Sequence, residues 1–418
     1  MSAQHVLATY EIETSLPLEH AAEALAGEQS TGTFIRVQRE SDDLRARFAA
    51  QVVSLDELPL SGQTPLPGFR GDAHAVRRAR LVIRFPLDNF GPSLPNLLAA
   101  VAGNLFELRE MAGIKLIDLD LPRAFAERYP GPAFGVPGTR RLMSRDSGAM
   151  IGTIIKPSIG LAPSELAEVV DELVGAGIDF IKDDELQANG PHAPLEERIK
   201  AVMPVIERHA DRTGKKAMYA FNITDDISRL ERNHDLVLEN GGTCIMVCAN
   251  LVGLPGLAFV REKSALPIHA HRAMLGALMR SPQLGFGYTA WQKLARLAGA
   301  DHLHTNGPRN KFYESDPEVF NSIADVRRPL LDFESTVPVL SSGQWAGLAH
   351  ETYAAVDTTD LLVMAGGGIH GHPDGAVAGV ESMRTAWDAA VSGEDFASAL
   401  SRSVPLRRAV EALGGIRA

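Results

Sequence analysis

A lysine stands directly beside three acids in the segment DFIKDDEL, residues 179–186, at the end of an apolar run. Asp184 and Glu185 offer the hard oxygen ligands that suit Mg²⁺. Alternate side chains of a strand share a face, so Lys182 and Asp184 point the same way, whereas Asp183 points away. An ammonium there would repel a metal, so Lys182 must be kept off the metal, deprotonated or converted to an anion. The segment therefore predicts a magnesium site that contains an unusual lysine.

Other polar residues follow short apolar segments within residues 149–372. Lysine and histidine can transfer protons, arginine can hold an anionic group, and glycine-rich turns can cradle a phosphate with backbone N–H groups. Taken singly, a strand-end lysine is usually solvated, and a lone histidine is usually a hydrogen-bonded residue near the core. Their concentration at the ends of most of these segments predicts one site instead. The candidates are Lys156, His271, Arg272, His304, Lys311, Ser342, Gly343, Gly366, Gly367 and Gly368.

The elements that carry these residues alternate regularly. Eight short apolar segments with strand character, from AMIGTIIK at 149–156 to DLLVMAGGG at 360–368, each precede a stretch with helical periodicity. This alternation is typical of parallel βαβ units, and eight units over about 250 residues match a TIM barrel. A doubly wound sheet is the alternative, but it more often has fewer strands and one Gly-rich phosphate loop near its start. A TIM barrel brings the carboxyl ends of its strands, and hence the candidates, to one face.

The first part of the chain mixes strand and helix periodicity, which predicts an α+β domain. The Pro- and Gly-rich segment 128–141 predicts a linker. The expected α/β architecture is therefore an α+β domain over 1–138 and a barrel with a short helical tail over 139–418. Within the first domain, helices are predicted over 17–30 and 93–108, and strands over 5–14, 31–38, 44–53, 78–87 and 113–122.

The composition excludes several classes of function. A net charge of −11 argues against nonspecific binding to nucleic acid or to an anionic membrane, which needs a basic patch. No apolar run approaches the roughly 18 residues that span a bilayer. The amino-terminal residues have a strand pattern rather than that of a signal peptide. The only two cysteines, Cys244 and Cys248, lie in a strand-like run and are interpreted as buried thiols, so we expect a protein of the reducing cytoplasm.

These segments, in this order, resemble the large subunit of RuBisCO over nearly the whole chain. GTIIKPSIGL is similar to the motif with the family's catalytic lysine, here Lys156. GIDFIKDDE is similar to the motif in which CO2 carbamylates a lysine that binds Mg²⁺ with an Asp and a Glu. The resemblance implies that Lys182, Asp184 and Glu185 bind one Mg²⁺ per site. By the same resemblance, HAHRAM supplies His271 and Arg272, DHLHTNG supplies His304, and NGPRNKF supplies Lys311, which corresponds to the lysine of the family's mobile loop. The two phosphate-binding turns of the family resemble SSG and AGGGIHGHPDG.

The resemblance also implies an assembly. The family has a ferredoxin-like α+β domain before the barrel, and its active site forms between two chains. GEQSTGTF resembles the segment that gives Glu28 and Thr33 to the site of a partner subunit, and GNLFEL supplies Asn104 in the same way. A homodimer or a larger homo-oligomer is therefore expected.

Four departures from the RuBisCO pattern change the expected function. Ser158 stands where RuBisCO has a second lysine, and Gln344 replaces a glycine of the phosphate-binding turn that begins with SSG. Phe34 replaces a tryptophan, and Leu275 replaces a histidine. Gln344 is expected to place a side chain where a phosphate would approach the backbone. The chain therefore resembles the RuBisCO-like proteins (form IV), which do not fix CO2, and we do not expect carboxylation of ribulose bisphosphate.

The retained residues support enediolate chemistry on a small phosphorylated sugar acid. Mg²⁺ can stabilise the enediolate of a ketose while Lys156 moves a proton at the adjacent carbon. In RuBisCO the residue equivalent to Lys311 holds the carboxylate made from CO2, which favours a decarboxylase of the 3-oxo-isoapionate-4-phosphate type. If Lys311 is only a solvated loop residue, 5-methylthioribulose-1-phosphate isomerase or 2,3-diketo-5-methylthiopentyl-1-phosphate enolase is the better interpretation. A non-catalytic ligand-binding descendant stays open, although such a protein would have been free to lose these residues.

Overall fold

The computed structural model describes residues 4–31 and 37–415; Thr33 and Phe34 lie outside them. The strands are β1 (His5–Thr14), β2 (Gln51–Leu58), β3 (Arg77–Pro86), β4 (Met111–Asp120), β5 (Met150–Ile154), β6 (Phe180–Lys182), β7 (Met218–Asn222), β8 (Cys244–Cys248), β9 (Ile268–His271), β10 (Leu284–Phe286), β11 (His302–His304), β12 (Val337–Leu340) and β13 (Leu362–Met364). The helices are α1 (Leu18–Glu28), α2 (Asp42–Phe48), α3 (Leu94–Ala102), α4 (Ala124–Arg128), α5 (Gly135–Leu142), α6 (Pro163–Gly175), α7 (Leu195–Thr213), α8 (Ile227–Glu239), α9 (Ala249–Lys263), α10 (Leu275–Met279), α11 (Tyr288–Leu297), α12 (Asp316–Arg327), α13 (Ala349–Val356), α14 (Gly367–His370), α15 (Gly375–Ser392), α16 (Phe396–Arg402) and α17 (Val404–Leu413).

The chain forms two compact units. The first contains the residues up to 130 together with 274–297 and 330–332, and the second contains the remainder. The chain therefore passes between the units several times, whereas the sequence predicted a single boundary at residue 138. No helix of the described ranges is long and apolar enough to cross a bilayer.

The first unit is built on a five-stranded sheet with the order β10-β4-β1-β3-β2. Strands β1 and β3 largely follow the alternating burial that a sheet with one covered face requires, whereas the first four residues of β4 are all buried. The four sequential strands with their intervening helices have the predicted ferredoxin-like order, in which β1 pairs antiparallel with both β3 and β4. Strand β10 was not predicted; it adds to the edge of the sheet, parallel to β4.

The second unit is a closed barrel of eight parallel strands, in the order β11-β12-β13-β5-β6-β7-β8-β9. All eight predicted strands are present, so the predicted TIM barrel is confirmed. The barrel strands are short and buried, and large apolar side chains such as Met150, Phe180, Met218, Met246 and Val339 fill the interior. The candidate residues follow the carboxyl ends of these strands.

Two local predictions were wrong. Residues 44–53 do not form one strand, because the Ser41 hydroxyl caps helix α2 at the Leu44 N–H and the strand begins only at Gln51. The predicted linker 128–141 contains helix α5. The Phe134 and Gly135 N–H groups at its start donate to Asp301, which directly precedes β11. Helix α5 therefore lies at the amino ends of the barrel strands.

Candidate active site

Lys182 is the last residue of β6 and is almost fully buried, with 1% of its side chain exposed. Its Nζ donates to the Asp183 carbonyl oxygen over 2.9 Å and lies 3.6 Å from Glu185 Oε2. Burial lowers the pKa of Lys182, although the neighbouring carboxylates of Glu185 and Asp184 oppose that shift. The neutral amine is consequently more accessible than in a solvated lysine.

Asp183 points to the other side of the strand, as the alternation predicted. Its carboxylate accepts hydrogen bonds from Arg198 over 3.0 Å, from the Tyr219 hydroxyl over 2.6 Å and from the Asn222 N–H over 2.9 Å. The Asn222 side-chain amide donates to the carbonyl oxygens of the next two residues, 184 and 185. This network fixes the backbone that carries the two predicted metal-binding carboxylates.

Lys156 follows β5 and is brought beside Asp184. Its Nζ donates to Asp184 Oδ2 over 2.8 Å and to Ser158 Oγ over 2.7 Å. Burial alone would raise the pKa of Asp184, but hydrogen bonds from Lys156, the Leu186 N–H and Ser158 outweigh it and leave the pKa below its usual value. Ser158, at the position of RuBisCO's second lysine, thus joins the predicted catalytic lysine to a predicted metal ligand.

His271 ends β9 and faces the same cluster. Its Nε2 lies 3.5 Å from Glu185 Oε2, and its Nδ1 accepts from the Ala273 N–H over 3.2 Å. Burial, with the nearby charges of Lys182 and Arg272, holds the pKa of His271 well below its usual value. A neutral imidazole whose Nδ1 accepts carries its proton on Nε2. His271 therefore presents an N–H donor to the site.

The charges of this cluster decide whether it fits Mg²⁺. Among residues 4–31 and 37–415, no group of three His, Cys, Asp and Glu side chains could hold a metal, so the two carboxylates need a third anionic ligand. Two ammonium groups, Lys156 and Lys182, balance the carboxylates of Asp184 and Glu185 and leave no net attraction for a cation. A carbamate on Lys182 would leave an excess of two negative charges, which matches Mg²⁺. The residues present fit the ion on that condition.

Arg272 is paired within the barrel unit. Its guanidinium donates to both carboxylate oxygens of Glu314, over 3.1 and 2.8 Å, and both side chains are largely buried. Asn306 donates to the same carboxylate. Glu314 was not a predicted site residue, and its distance along the chain from Arg272 gives no sequence signal. The role of Arg272 in holding an anion stays a prediction, which this ion pair opposes.

The two predicted phosphate turns are differently constructed. At the β13 end, a side chain on Gly366 would meet Lys156 Cε at 3.7 Å, Gly367 faces open space, and Gly368 packs against the Gln344 carbonyl oxygen and Trp345. At the β12 end, Ser342 and Gly343 adopt left-handed backbone conformations, with φ of 67° and 78°. Backbone N–H groups at such turns can form the predicted cradle.

Gln344 makes contacts within the barrel unit that the sequence did not predict, and its effect on phosphate binding stays a prediction. Its side chain is buried and donates to the carbonyl oxygens of Pro308 and Ser342, over 3.1 and 3.3 Å. The amide also fills the space beside Gly307, where a larger residue would clash with it. Gln344 therefore connects the loop after β11 to the loop after β12.

The remaining predicted residues are not all assembled with the cluster. His304 is buried at the end of β11 and contacts Ser341 and His269, and its ring packs edge-on against that of His271, with centroids 4.6 Å apart. Lys311 is exposed, and its ammonium lies 5.4 Å from the centre of the Phe312 ring. In the first unit, Glu28 ends α1 and Asn104 follows α3; both are exposed. Thr33, the third residue expected from a partner subunit, lies outside the described residues.

Comparison with known proteins identifies the family. The ribulose bisphosphate carboxylase large-chain N-terminal domain matches residues 1–125, and the catalytic domain of the same chain matches residues 135–413. The chain is 50% identical over 410 residues, covering 98% of this chain and 99% of the other, to a 3-oxo-isoapionate-4-phosphate transcarboxylase/hydrolase of Xanthobacter autotrophicus. It is 44% identical, covering 92% of each chain, to a 3-oxo-isoapionate-4-phosphate decarboxylase of Rhizobium rhizogenes. The crystal structure of a rubisco-like protein from Burkholderia fungorum superposes with a TM-score of 0.90 at 42% identity, covering 97% of this chain and 99% of that one.

Proposed function

Because the chain belongs to the ribulose bisphosphate carboxylase large-chain family as a RuBisCO-like protein, we propose that it is a Mg²⁺-dependent enzyme of that type. It acts on 3-oxo-isoapionate 4-phosphate, the substrate in the names of two relatives that match it over nearly their whole length. The first step breaks the bond between the substrate carbon and its carboxyl group. The observation that carries this proposal is the contact of Lys156 with Asp184, beside Lys182, Glu185 and His271.

The proposed reaction is a decarboxylation. Loss of CO2 from a β-keto acid leaves the electron pair of the broken bond on an enolate, whose carbon then takes a proton. Lys156 is the proposed proton donor, because its ammonium lies at the mouth of the barrel and is held by Asp184 and Ser158. The Nε2–H of His271 is placed to donate to a substrate oxygen that gains negative charge.

Mg²⁺, when bound by a carbamate on Lys182 together with Asp184 and Glu185, supplies Lewis-acid stabilisation of the developing enolate charge. The lowered pKa of Lys182 supports the carbamate, because only a neutral amine attacks CO2. The phosphate of the substrate is assigned to the backbone of Gly366 and Gly367, where the chain is open to solvent.

A second candidate function is transcarboxylation followed by hydrolysis, which the name of the 50% identical relative supports. Both functions begin by breaking the same bond and differ in where the carboxyl carbon goes. Substrate labelled with ¹³C in its carboxyl group separates them. Label released as CO2 and bicarbonate identifies a decarboxylase, whereas label retained in a non-volatile acid identifies the transcarboxylase. If purified protein with Mg²⁺ and bicarbonate consumes none of the substrate, both proposals fail, and methylthioribulose phosphate should be assayed next.

We also propose that the working form is a homodimer or a larger homo-oligomer. Large apolar side chains are exposed after five barrel strands. Ile159, Leu186 and Phe312 lie in loops, whereas Ile227 and Leu251 lie at the starts of helices α8 and α9. An apolar collar of this kind around the mouth of a barrel is typical of a surface that another chain covers. The proposed occupant is the first unit of a second copy, which would contribute Glu28, Thr33 and Asn104.

Mixing two inactive variants tests the shared site. Glu28→Gln alone and Lys182→Ala alone should each be inactive, but a mixture that has exchanged subunits should regain about a quarter of the activity, because one site of each mixed dimer is intact. No recovery after verified exchange would place Glu28 outside the partner's site.

Both cysteines are buried free thiols, which supports the cytoplasm as the proposed compartment.

A further inference from the structure

A row of buried imidazoles runs through the barrel from its amino end to the site. The row begins at Thr139 in α5, whose Oγ1 lies 2.8 Å from His302 Nε2. His302 Nδ1 lies 3.4 Å from His269 Nδ1, and His269 Nε2 lies 2.8 Å from His304 Nε2. The row ends at Ser341, whose Oγ lies 3.0 Å from His304 Nδ1.

All three imidazoles are neutral. None is more than 2% exposed, and the ring of Phe180 packs against both His269 and His302. Burial lowers the pKa of each of these histidines, to about 3 for His302. A neutral imidazole has one N–H donor and one lone pair. Each contact in the row must therefore have one donor and one acceptor, and all contacts run in one direction.

The direction is set at Thr139. Its hydroxyl donates to the Gly135 carbonyl oxygen one helical turn back, so its lone pair accepts from His302 Nε2–H. His302 Nδ1 is then an acceptor for His269 Nδ1–H, and His269 Nε2 is an acceptor for His304 Nε2–H. His304 Nδ1 consequently accepts from the hydroxyl of Ser341, which leaves only lone pairs on that oxygen.

We propose that Thr139, His302 and His269 are positioning residues that fix the tautomer of His304 and so make Ser341 a hydrogen-bond acceptor at the rim of the site. The row keeps these tautomers fixed and does not conduct protons. Its two ends are the buried Ser341 hydroxyl and the Gly135 carbonyl oxygen, and neither of them takes up a proton.

The consequence concerns substrate charge. Phosphate and carboxylate oxygens only accept hydrogen bonds, so Ser341 repels them and favours a substrate hydroxyl. His304 uses its single N–H within the row, and Arg272 is already bound to Glu314. The place beside Ser341 therefore takes an uncharged group, and the substrate carries its phosphate at the turn after β13. This inference deepens the proposed function, which already assigns a monophosphate.

The tautomers are measurable in the free enzyme, independently of any substrate. With ¹⁵N-labelled histidine, NMR of the wild type and of Thr139→Ser should show protons on Nε2 of His302, Nδ1 of His269 and Nε2 of His304. Thr139→Val removes the acceptor, so the pattern should become reversed or mixed at all three rings. A proton on Nδ1 of His304 in the wild type, or an unchanged pattern in Thr139→Val, would overturn the proposal.

Ligand measurements test the consequence. With 3-oxo-isoapionate 4-phosphate, Thr139→Val should raise KM about tenfold, with kcat reduced by less than threefold, and Thr139→Ser should match the wild type. Ser341→Ala, which leaves α5 intact, should raise KM similarly. Ribulose 1,5-bisphosphate should bind the wild type no more tightly than ribulose 5-phosphate, and a preference of tenfold or more for the bisphosphate would overturn the assignment. If the wild type turns over no substrate, the proposed function fails, while the NMR and the two ribulose phosphates still decide this inference.

Discussion

Replacing Arg198 by methionine should destabilise the barrel more than any surface charge substitution. Arg198 and Asp183 are 0% and 1% exposed and lie 3.0 Å apart. Removing one partner of such a buried pair leaves an uncompensated charge and typically costs about 3–5 kcal/mol. Two donors to Asp183, Tyr219 and the Asn222 N–H, remain in the variant and reduce that loss.

The guanidinium also donates to the carbonyl oxygens of Ala193 and Gln187. The two remaining donors reduce the loss from the broken pair to about 2 kcal/mol, and losing these two bonds adds about 1 kcal/mol each, so we expect a total of about 4 kcal/mol. Unfolding free energies of domains are about 5–15 kcal/mol, so the variant should fold but unfold at much lower urea concentrations. The effect is also functional, because Asp183 holds the backbone between Lys182 and Asp184.

Urea unfolding followed by fluorescence measures the change. A Trp291→Phe background leaves Trp345 and Trp387, both in the barrel unit, as reporters. The matched control is Arg208→Met on the same helix, which breaks an exposed pair with Asp171 and should change stability by about 1 kcal/mol or less.

A double-mutant cycle tests the physical reason. Combining Arg198→Met with Asp183→Asn removes the buried charge as well as its partner, so the double variant should be about 2 kcal/mol more stable than additivity requires. A loss below 1 kcal/mol in Arg198→Met, or strict additivity in the double variant, would refute the reasoning.

Four further predictions concern the site. Lys182→Ala should abolish bicarbonate-dependent Mg²⁺ binding measured by calorimetry while leaving the circular dichroism unchanged; Mg²⁺ binding that persists would contradict the carbamate. In the wild type, bicarbonate-dependent Mg²⁺ binding should already occur at a pH below the usual lysine pKa. The reason is that the lowered pKa of Lys182 increases the fraction of neutral amine at such a pH. Lys311→Ala should reduce CO2 release far more than proton exchange into a keto-sugar phosphate, and equal losses would remove its carboxylate-holding role. Glu314→Gln should remove the negative charge that neutralises Arg272 and tighten binding of inorganic phosphate about tenfold, whereas Glu351→Gln, which breaks the exposed pair with Arg309, should not.

The barrel and the main cluster were predictable because they depend on local patterns. Strand and helix periods identify eight βα units, and parallel strands bring their carboxyl ends together whatever the intervening loops contain. That rule was sufficient to assemble Lys156, Lys182, Asp184, Glu185 and His271. Strand alternation likewise predicted that Asp183 points away from Lys182 and Asp184.

The parts that could not be predicted depend on contacts between distant segments. Glu314 lies 42 residues after Arg272, and only the folded loops reveal that they form an ion pair. Thr139 lies in a segment whose Pro and Gly content is typical of a linker, yet helix α5 forms because Asp301 accepts its first N–H groups. Gln344 was assigned to the phosphate approach from its neighbours in sequence, whereas its amide finds partners in another loop.

Two features around the site, Ser158 and the Arg272–Glu314 ion pair, both lower its attraction for anions. With Mg²⁺ and a carbamate on Lys182, the charges of Lys156, Asp184 and Glu185 make the cluster neutral. A second lysine at position 158 would add a positive charge and attract a further anion, whereas Ser158 adds none and instead bonds to Lys156. Glu314 cancels the charge of Arg272 in the same way. Ser158 and the Arg272–Glu314 ion pair both weaken the attraction for a doubly phosphorylated ligand, which favours an acid with one phosphate.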